Sequence, residues 1–168
     1  MTGRSTPVVA VSGVKNSGKT MLITQMLPHF TAAGLRVAVI KHDGHSFTAD
    51  SPGTDTDKHL KAGACGTAIF DSEKFKLVRQ VAVEEGDLFD LFPDADLILL
   101  EGFKYSAWPK LELVRAGNSQ APVCDPATLL ALVTDLPLSV PGVPVVPFGD
   151  ARGAAQVILD YMEREAHP

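Results

Sequence analysis

The order of apolar and polar residues along the chain predicts alternating strands and helices. The first apolar run, 8–12, is rich in β-branched residues and is typical of a buried strand. The stretch 20–33 repeats apolar residues at helical spacing and ends before Gly34, a common helix stop. A second β-branched run follows at 35–41. Together these segments predict a strand–helix–strand unit with a right-handed, parallel crossover.

Later apolar runs extend this pattern to the end of the chain. The runs 67–70 and 75–79 predict a β-hairpin whose turn is 71–74. Further strands are predicted at 96–102, 111–115, 129–135 and 145–146, and further helices at 58–64, 82–92 and 151–164. The predicted fold is therefore α/β, a three-layer, doubly wound, mostly parallel sheet with a β-hairpin excursion. We expect a single domain spanning residues 1–168.

The segment between the first strand and the first helix carries the strongest chemical signal, because it matches G-x-x-x-x-G-K-[ST] at every required position. This predicted phosphate cradle consists of Gly13, Val14, Lys15, Asn16, Ser17, Gly18, Lys19 and Thr20. Its backbone N–H groups can point at phosphate oxygens, Lys19 can contact the β- and γ-phosphates, and the Thr20 hydroxyl can bind Mg²⁺. A glycine-rich turn that only connects strand to helix is the alternative, but such a turn needs neither Lys nor Thr. The motif therefore predicts a fold of the P-loop NTPase type.

A second informative strand, 96–102, ends in an acid. Four large aliphatic residues precede Glu101, and a glycine after it permits close approach. This is how a Walker B-like carboxylate is presented to Mg²⁺ or its water, although apolar strands that end in an acid without a ligand are common. In the loop that follows, Lys104 can meet a substrate phosphate. Phe103 and Trp108 can stack on a ring or simply anchor the loop.

The polar stretch after the second strand should line the same crevice as the cradle, because ligands in open α/β sheets bind beyond the carboxyl ends of strands. Asp43 is a candidate for holding Mg²⁺ through water or for orienting a nucleophilic water, and an Asp-Gly turn is the alternative. His42, His45 and His59, with the nearby aspartates, suggest a transition-metal site. The alternative is a loop that closes over a nucleotide or a partner.

The strand 129–135 repeats the pattern of a buried run that ends in an acid. The carboxylate of Asp135 can accept hydrogen bonds from both N1–H and N2–H₂ of guanine, a pairing that adenine cannot offer. A loop cap before Pro137 is the alternative.

The net charge and the cysteine content limit the kinds of partner and site that we expect for this chain. The 168 residues carry a formal net charge of −5, which argues against a broad nucleic-acid or membrane surface. The two cysteines, Cys65 and Cys124, lack the spacing of a metal knuckle or a disulfide scaffold. Near the N-terminus no apolar segment is long enough for a signal peptide or a membrane span, so we expect a cytoplasmic protein.

The combination of motifs resembles the MobB family, the molybdopterin-guanine dinucleotide biosynthesis protein B family of P-loop GTP-binding proteins. Over roughly residues 7–165, the resemblance is carried by the cradle, Lys41-His42-Asp43-Gly44-His45, the segment 53–64, Leu99-Leu100-Glu101-Gly102-Phe103-Lys104 and Pro109-Lys110-Leu111-Glu112. It implies a homodimeric protein that binds GTP with Mg²⁺ and hydrolyses it slowly. It also implies that the protein assists the enzyme that attaches GMP to molybdopterin.

By position, the resemblance implies roles for individual residues. The cradle would bind the phosphates, Thr20 and Glu101 would serve Mg²⁺, and Asp43 would lie near the γ-phosphate and the metal. The candidate catalytic residues are Lys19, Asp43 and Glu101. The implied partners are a molybdopterin guanylyltransferase or a molybdopterin-bearing protein, with no nucleic acid and no membrane. One departure concerns guanine, because the N-K-x-D signature of many GTPases is absent before Asp135.

Two other functions stay open on the sequence alone. A small-molecule kinase can be built on the same cradle, but such kinases usually cluster Arg residues on a lid, and the Arg residues here are scattered. A GTPase metallochaperone is suggested by the histidines after the second strand. Slow intrinsic hydrolysis is expected because no residue stands out as an arginine finger or a water-positioning Gln.

Overall fold

The computed structural model describes residues 6–44 and 47–167. These residues group into two compact units. The first unit comprises the chain up to His42 together with the chain from Leu88 onward, and the second is Asp43–Asp87. The cradle lies in the first unit and the hairpin in the second. The expectation of a single domain stays a prediction.

Every predicted strand and helix has a counterpart in the structure. The strands are β1 (Val8–Gly13), β2 (Val37–Lys41), β3 (Gly66–Phe70), β4 (Phe75–Arg79), β5 (Leu97–Glu101), β6 (Lys110–Val114), β7 (Leu129–Thr134) and β8 (Val145–Pro147). The helices are α1 (Lys19–Ala32), α2 (Asp55–Lys61), α3 (Glu85–Phe89) and α4 (Ala151–Ala166), with one 3₁₀ turn at Pro126–Thr128. Among the described residues, no helix has the length and apolar character needed to cross a membrane.

The bounds of α2 and α3 differ most from their predicted bounds. α2 begins at Asp55 because Thr54 is extended at its N-cap position. Asp55 and Asp57 occupy its first turn, where carboxylates interact favourably with the helix dipole. α3 is shorter than predicted, and Gly86 within it weakens the helix by its conformational freedom.

The large sheet is parallel throughout, with strand order β2-β5-β1-β6-β7-β8. β1 is central, and its register places Val11 level with Glu101 of β5 and Ser12 level with Glu112 of β6. Because the carboxyl ends of parallel strands meet at one edge, the cradle and Glu101 come together there. The predicted α/β, mostly parallel architecture is confirmed, as is the separate antiparallel hairpin.

Apolar side chains cover both faces of this sheet, which explains why its strands read as continuous apolar runs. On one face Val9 and Val11 pack in a cluster with Phe30 of α1 and Ile158 of α4. The cluster on the opposite face consists of Val8, Ala10, Ala38, Ile40, Ile98 and Leu100, with Leu88, Phe89, Ala95, Phe103 and Trp108 packed against it. Packing on both faces holds the sheet in place, and the candidate site lies at the edge of this sheet.

The second unit is built around the hairpin of β3 and β4, which pairs Phe70 with Phe75 as an antiparallel ladder. Its turn is 71–74, as predicted. The Asp71 carboxylate closes the turn by accepting hydrogen bonds from the N–H groups of Glu73 at 2.8 Å and Lys74 at 2.9 Å. Unlike the buried strands β1, β5 and β6, this hairpin leaves large apolar side chains exposed.

Candidate functional site

The predicted phosphate cradle joins β1 to α1 along a path that needs glycine at two positions. Gly13 has a φ of 140°, and a Cβ atom there would lie 2.6 Å from the Leu113 carbonyl oxygen and 2.7 Å from Ser17 Oγ. Gly18, the N-cap of α1, has a φ of 102°, and a Cβ atom there would lie 3.3 Å from Phe148 Cζ. The shape of the loop therefore requires the two glycines of the motif.

The Lys19 ammonium lies against the cradle. Its Nζ donates hydrogen bonds to cradle carbonyl oxygens, the shortest to Val14 at 2.7 Å. Partial burial lowers the pKa of Lys19, and the Glu101 carboxylate opposes this effect. The positive charges of Lys41 and Lys104 lower the pKa further. Lys19 and Lys41 thus lie near the Glu101 carboxylate, and Lys104 adds a third positive charge near Lys19. A phosphate anion would relieve the mutual repulsion of these cations.

Thr20 and Glu101 are brought into direct contact. Thr20 Oγ1 donates a hydrogen bond to Glu101 Oε1 at 2.6 Å, and Lys41 Nζ forms an ion pair with the same oxygen at 3.3 Å. Glu101 is only 6% exposed. Two of the three residues predicted to serve Mg²⁺, Thr20 and Glu101, therefore present adjacent oxygen atoms, the kind of ligand that Mg²⁺ prefers.

A strained turn directly after Glu101 fixes the position of this carboxylate. Gly102 has a φ of 107° and Phe103 has a φ of 51°, a conformation that residues with side chains rarely adopt. The central strand holds the turn at two points. The N–H of Gly102 donates to the Val11 carbonyl oxygen at 3.0 Å, and Ser12 Oγ donates to the Gly102 carbonyl oxygen. Backbone strain of this kind concentrates at functional sites.

A buried lysine, Lys110, holds the same loop from β6. Its side chain is fully buried, and Nζ donates to the carbonyl oxygens of Ser106 at 2.6 Å and Phe103 at 3.3 Å. Burial lowers the pKa of Lys110, and nearby acidic groups, Glu112 among them, oppose this. The sequence interpretation gave Lys110 no role of its own. A charged residue that opens an apolar strand was the signal that could have found it.

Two aromatic residues of this loop, Phe103 and Trp108, act in the described structure as anchors. The Phe103 ring lies 5.5 Å from the His42 ring, and Trp108 meets Phe89 edge to face at 5.5 Å. Both Phe103 and Trp108 are partly buried against the apolar cluster of the sheet. These contacts favour the anchoring interpretation over stacking on a ligand.

β6 also buries a carboxylate. Glu112 is 1% exposed and accepts hydrogen bonds from the N–H groups of Val123 at 2.6 Å and Cys124 at 3.2 Å. Burial, reinforced by the Glu112 carboxylate, raises the pKa of the Cys124 thiol to about 12. Cys124 is therefore a structural thiol held in its neutral form.

Asp135 is exposed at the end of β7 and is tied to the loop that follows β6. The N–H of Ala116 donates to Asp135 Oδ1 at 2.7 Å. In the same loop, Asn118 Nδ2 donates to the Lys15 carbonyl oxygen at 3.0 Å, so the loop also contacts the cradle. Asp135 thus lies at the same edge of the sheet as the predicted phosphate site. Asn118 was missed because a Gly-Asn-Ser sequence looks like an ordinary turn.

The segment after β2 carries the remaining predicted site residues. Asp43 is exposed and belongs to the second unit, and its role near the γ-phosphate stays a prediction. His45, one of the residues in the metal hypothesis, lies outside the described residues. Within 6–44 and 47–167, no three His, Cys, Asp or Glu side chains are grouped closely enough to hold a metal ion.

Comparison with known proteins relates the whole chain to one family. The family model "Molybdopterin guanine dinucleotide synthesis protein B" (MobB) matches residues 8–135. The molybdopterin-guanine dinucleotide biosynthesis adapter protein of Escherichia coli is 32% identical over 168 residues, covering 95% of each chain. The protein of the same name from Haemophilus influenzae is 31% identical over 139 residues, covering 80% of this chain and 78% of the relative.

Solved structures give the same relationship. The crystal structure of Bacillus subtilis MobB is similar with a TM-score of 0.76 and 26% identity, covering 92% of this chain and 96% of that chain. A crystal structure of molybdopterin-guanine biosynthesis protein B has a TM-score of 0.67 and 27% identity, covering 93% of this chain and 99% of that one.

Proposed function

The chain belongs to the MobB family, and on this premise we propose that it binds GTP with Mg²⁺ and serves as an adapter in molybdopterin guanine dinucleotide biosynthesis. The observation that carries the proposal is the contact of Thr20 with Glu101 beside the Lys19 ammonium. The bond joins residues 81 positions apart, one in the first turn of α1 and the other at the end of β5. The adapter role follows the names of the relatives.

Triphosphate binding is supported by the cradle and its charge. The loop turns through Gly13 and Gly18 into the N-terminus of α1, where unpaired N–H groups and the helix dipole favour an anion. Lys19 Nζ, bonded to loop carbonyl oxygens, can exchange these neutral acceptors for phosphate oxygens. Binding would then raise the pKa of Lys19 again, because an anion stabilises its charged form.

Thr20 Oγ1 and Glu101 Oε1 would hold Mg²⁺. When bound, the ion supplies Lewis-acid stabilisation of charge on the phosphates. Lys41 pairs with Glu101 and would hold this carboxylate in position. Asp43 is proposed to bind the same ion through water or to orient the attacking water, and with no arginine finger in the sequence we expect slow GTP hydrolysis.

Guanine recognition is proposed for Asp135. One of its oxygen atoms accepts a hydrogen bond from Ala116 N–H, which orients the carboxylate. Each carboxylate oxygen accepts more than one hydrogen bond, so N1–H and N2–H₂ of guanine can still be bound.

We also propose two kinds of protein partner. The first is either the enzyme that attaches GMP to molybdopterin or a molybdopterin-bearing protein, and the second is another copy of this chain. The second copy would cover the apolar face of the hairpin. Ladder pairing places Phe70 opposite Phe75 and Ala68 opposite Leu77 on that face, and all four side chains are exposed. Two-stranded sheets are marginal alone, and closed homodimers are the commonest way to bury such a face.

The proposed function is tested by calorimetric titration with non-hydrolysable GTP and ATP analogues, with and without Mg²⁺. We expect a clear preference for the GTP analogue that Mg²⁺ strengthens. We also expect Lys19→Ala to lose tight triphosphate binding while keeping its fold, whereas Lys58→Ala, at an exposed α2 lysine, keeps binding.

Three outcomes would contradict the proposal, and the third is measured separately with hydrolysable GTP. Unchanged affinity in a folded Lys19→Ala variant would refute the cradle. Equal or tighter binding of the ATP analogue would remove the guanine assignment, and transfer of γ-phosphate to an added small molecule would point to kinase chemistry instead.

A further inference from the structure

One loop of the first unit, Arg115–Ser119, holds three buried side-chain atoms without hydrogen-bond partners. They are Arg115 Nε, Asn118 Oδ1 and Ser119 Oγ. Across the described part of the chain, the other such atom is Asp50 Oδ2, in the second unit. Buried polar atoms without partners destabilise a fold and are usually few. Their concentration in one loop indicates that the loop is shaped for another set of hydrogen bonds.

The same loop connects two parts of the candidate site. Asn118 Nδ2 donates to the carbonyl oxygen of Lys15 in the cradle at 3.0 Å. Two residues earlier, Ala116 N–H donates to Asp135 Oδ1 at 2.7 Å. These two hydrogen bonds connect Lys15 in the cradle, through the loop, to Asp135. They therefore set the distance between the phosphate-binding end of the site and the carboxylate proposed to bind guanine.

Planar groups lie beside this connection. The Arg115 guanidinium lies over the Phe148 ring, 5.9 Å from its centroid. Phe148 in turn lies against Gly18, because a Cβ atom at Gly18 would meet its ring at 3.3 Å. Aromatic and guanidinium planes are the surfaces on which bases stack in proteins.

We propose that Arg115–Ser119 is the loop that recognises the nucleoside part of the bound nucleotide, with Asn118 as the positioning residue that holds it against the cradle. The ligand is a purine nucleoside triphosphate, whose base and ribose offer the donors and acceptors that the three buried atoms lack. A small shift of the loop on binding would bring these atoms to the nucleoside. The inference rests on the proposed nucleotide binding and adds residues that the guanine assignment of Asp135 does not contain.

The test separates the phosphate part of binding from the nucleoside part. Calorimetry measures the affinity of inorganic tripolyphosphate, a GTP analogue and an ATP analogue for the full chain. Asn118→Ala should bind the GTP analogue about tenfold more weakly, with a smaller GTP-to-ATP preference, because the loop is no longer held to the cradle. Tripolyphosphate should bind as in the wild-type protein.

Two further variants complete the experiment. Asn118→Asp keeps the size of the side chain but removes the donor to Lys15, and it should reproduce the selective loss. Gln156→Ala removes an amide from α4, where it bonds only along the helix to Asp160, and should change none of the three affinities. Circular dichroism confirms the fold of each variant.

The other possible results would overturn either the role of the loop or the proposed nucleotide binding. Equal losses of tripolyphosphate and GTP binding in both Asn118 variants would show that Asn118 supports only the cradle and would overturn the inference. Unchanged GTP binding would also overturn it. If the wild-type protein binds tripolyphosphate as tightly as the GTP analogue, the inference is overturned but the assignment of the cradle still holds. If the wild-type protein binds neither tripolyphosphate nor the GTP analogue, the proposed function is refuted as well.

Discussion

The two units of this chain use apolar residues in opposite ways. In the first unit, β1, β5 and β6 are buried along their whole lengths. In the second, Phe70 is 81% exposed and Phe75 is 73% exposed, although both belong to a regular ladder. The second unit relies on local hydrogen bonds and surface ion pairs, such as Lys61 with Asp57 at 2.7 Å.

This difference indicates which unit can hold catalytic and binding atoms in fixed positions and which unit can offer a surface to a partner. Glu101 ends the fully buried strand β5, and Thr20 begins α1 directly after the cradle that follows β1, so their contact depends on the parallel pairing of β1 with β5. A hairpin with exposed apolar residues cannot fix atoms with that precision, but it offers surface for a partner. Experiments that weaken one unit or cover the other can therefore test each use separately.

The largest expected effect comes from a cavity in the sheet. Leu99→Ala removes a side chain with no exposed surface, and we expect it to lower the free energy of unfolding by about 2–5 kcal/mol. Leu77→Ala on the hairpin, where Leu77 is 49% exposed, should cost less than about 1 kcal/mol. Urea denaturation at concentrations where the chain is monomeric measures both, and similar costs would contradict the contrast between the units.

The next effect concerns the proposed dimer. Phe75→Glu places a charge on the apolar face of the hairpin and should weaken self-association at least tenfold, because an unpaired carboxylate is costly to bury. Sedimentation equilibrium measures the dissociation constant. Leu91→Glu is the matched control, since Leu91 is 58% exposed in the first unit. A Phe75→Glu chain that still dimerises like the control would exclude this face.

Removing the buried lysine should have a smaller effect. Lys110→Met fills the space but leaves the Ser106 and Phe103 carbonyl oxygens without their donor, and we expect a loss of about 1–3 kcal/mol in stability. Lys74→Met in the hairpin turn, which removes only an exposed pair with Asp71, should leave stability unchanged. Thermal unfolding compares the two, and equal effects would remove the assigned role of Lys110.

The smallest expected effect is a difference in reactivity between the two cysteine thiols. Cys65 is exposed and Cys124 is buried, so a thiol reagent should modify one thiol per native chain and two after denaturation. Rapid modification of Cys124 in the native protein would contradict its burial.

The same thiol gives a pH dependence of known sign. Because the folded chain raises the pKa of Cys124 from 9.0 to about 12, folding keeps a proton that the unfolded chain releases. Its contribution to stability is therefore full below pH 9 and is lost as the pH rises towards 12. The stability difference between the wild-type chain and Cys124→Ala should shrink over this range.

Features encoded in contiguous residues could be predicted from the sequence. The cradle needs glycines at fixed spacing, and the strand before it and the helix after it are short-range patterns. The position of Glu101 at the end of a buried run was also readable, because the carboxyl ends of parallel strands share an edge. The hairpin turn at Asp71 follows from local turn chemistry.

Contacts between distant residues could not be predicted in this way. Asn118 meets Lys15 across 103 positions, and no local pattern distinguishes it from a turn residue. Lys110 carries one local signal, a charge at the start of an apolar strand, but its burial follows only from the sheet order that places β6 beside β1. The turn at Gly102 and Phe103 is likewise held partly from a distance, because Ser12 bonds to Gly102 across 90 positions in addition to the local bonds from Ser106.

The strand order also determines when the site can form during protein synthesis. β1 is made first, but its neighbours β5 and β6 are encoded roughly 90 residues later, so at ~5–20 residues per second the ribosome needs at least several seconds to supply them. Asp43–Asp87 is contiguous, so its internal contacts can begin to form in that interval. Until β5 is made, β1 lacks its neighbours in the sheet, and the nascent chain exposes an apolar segment of the aggregation-prone kind that chaperones cover.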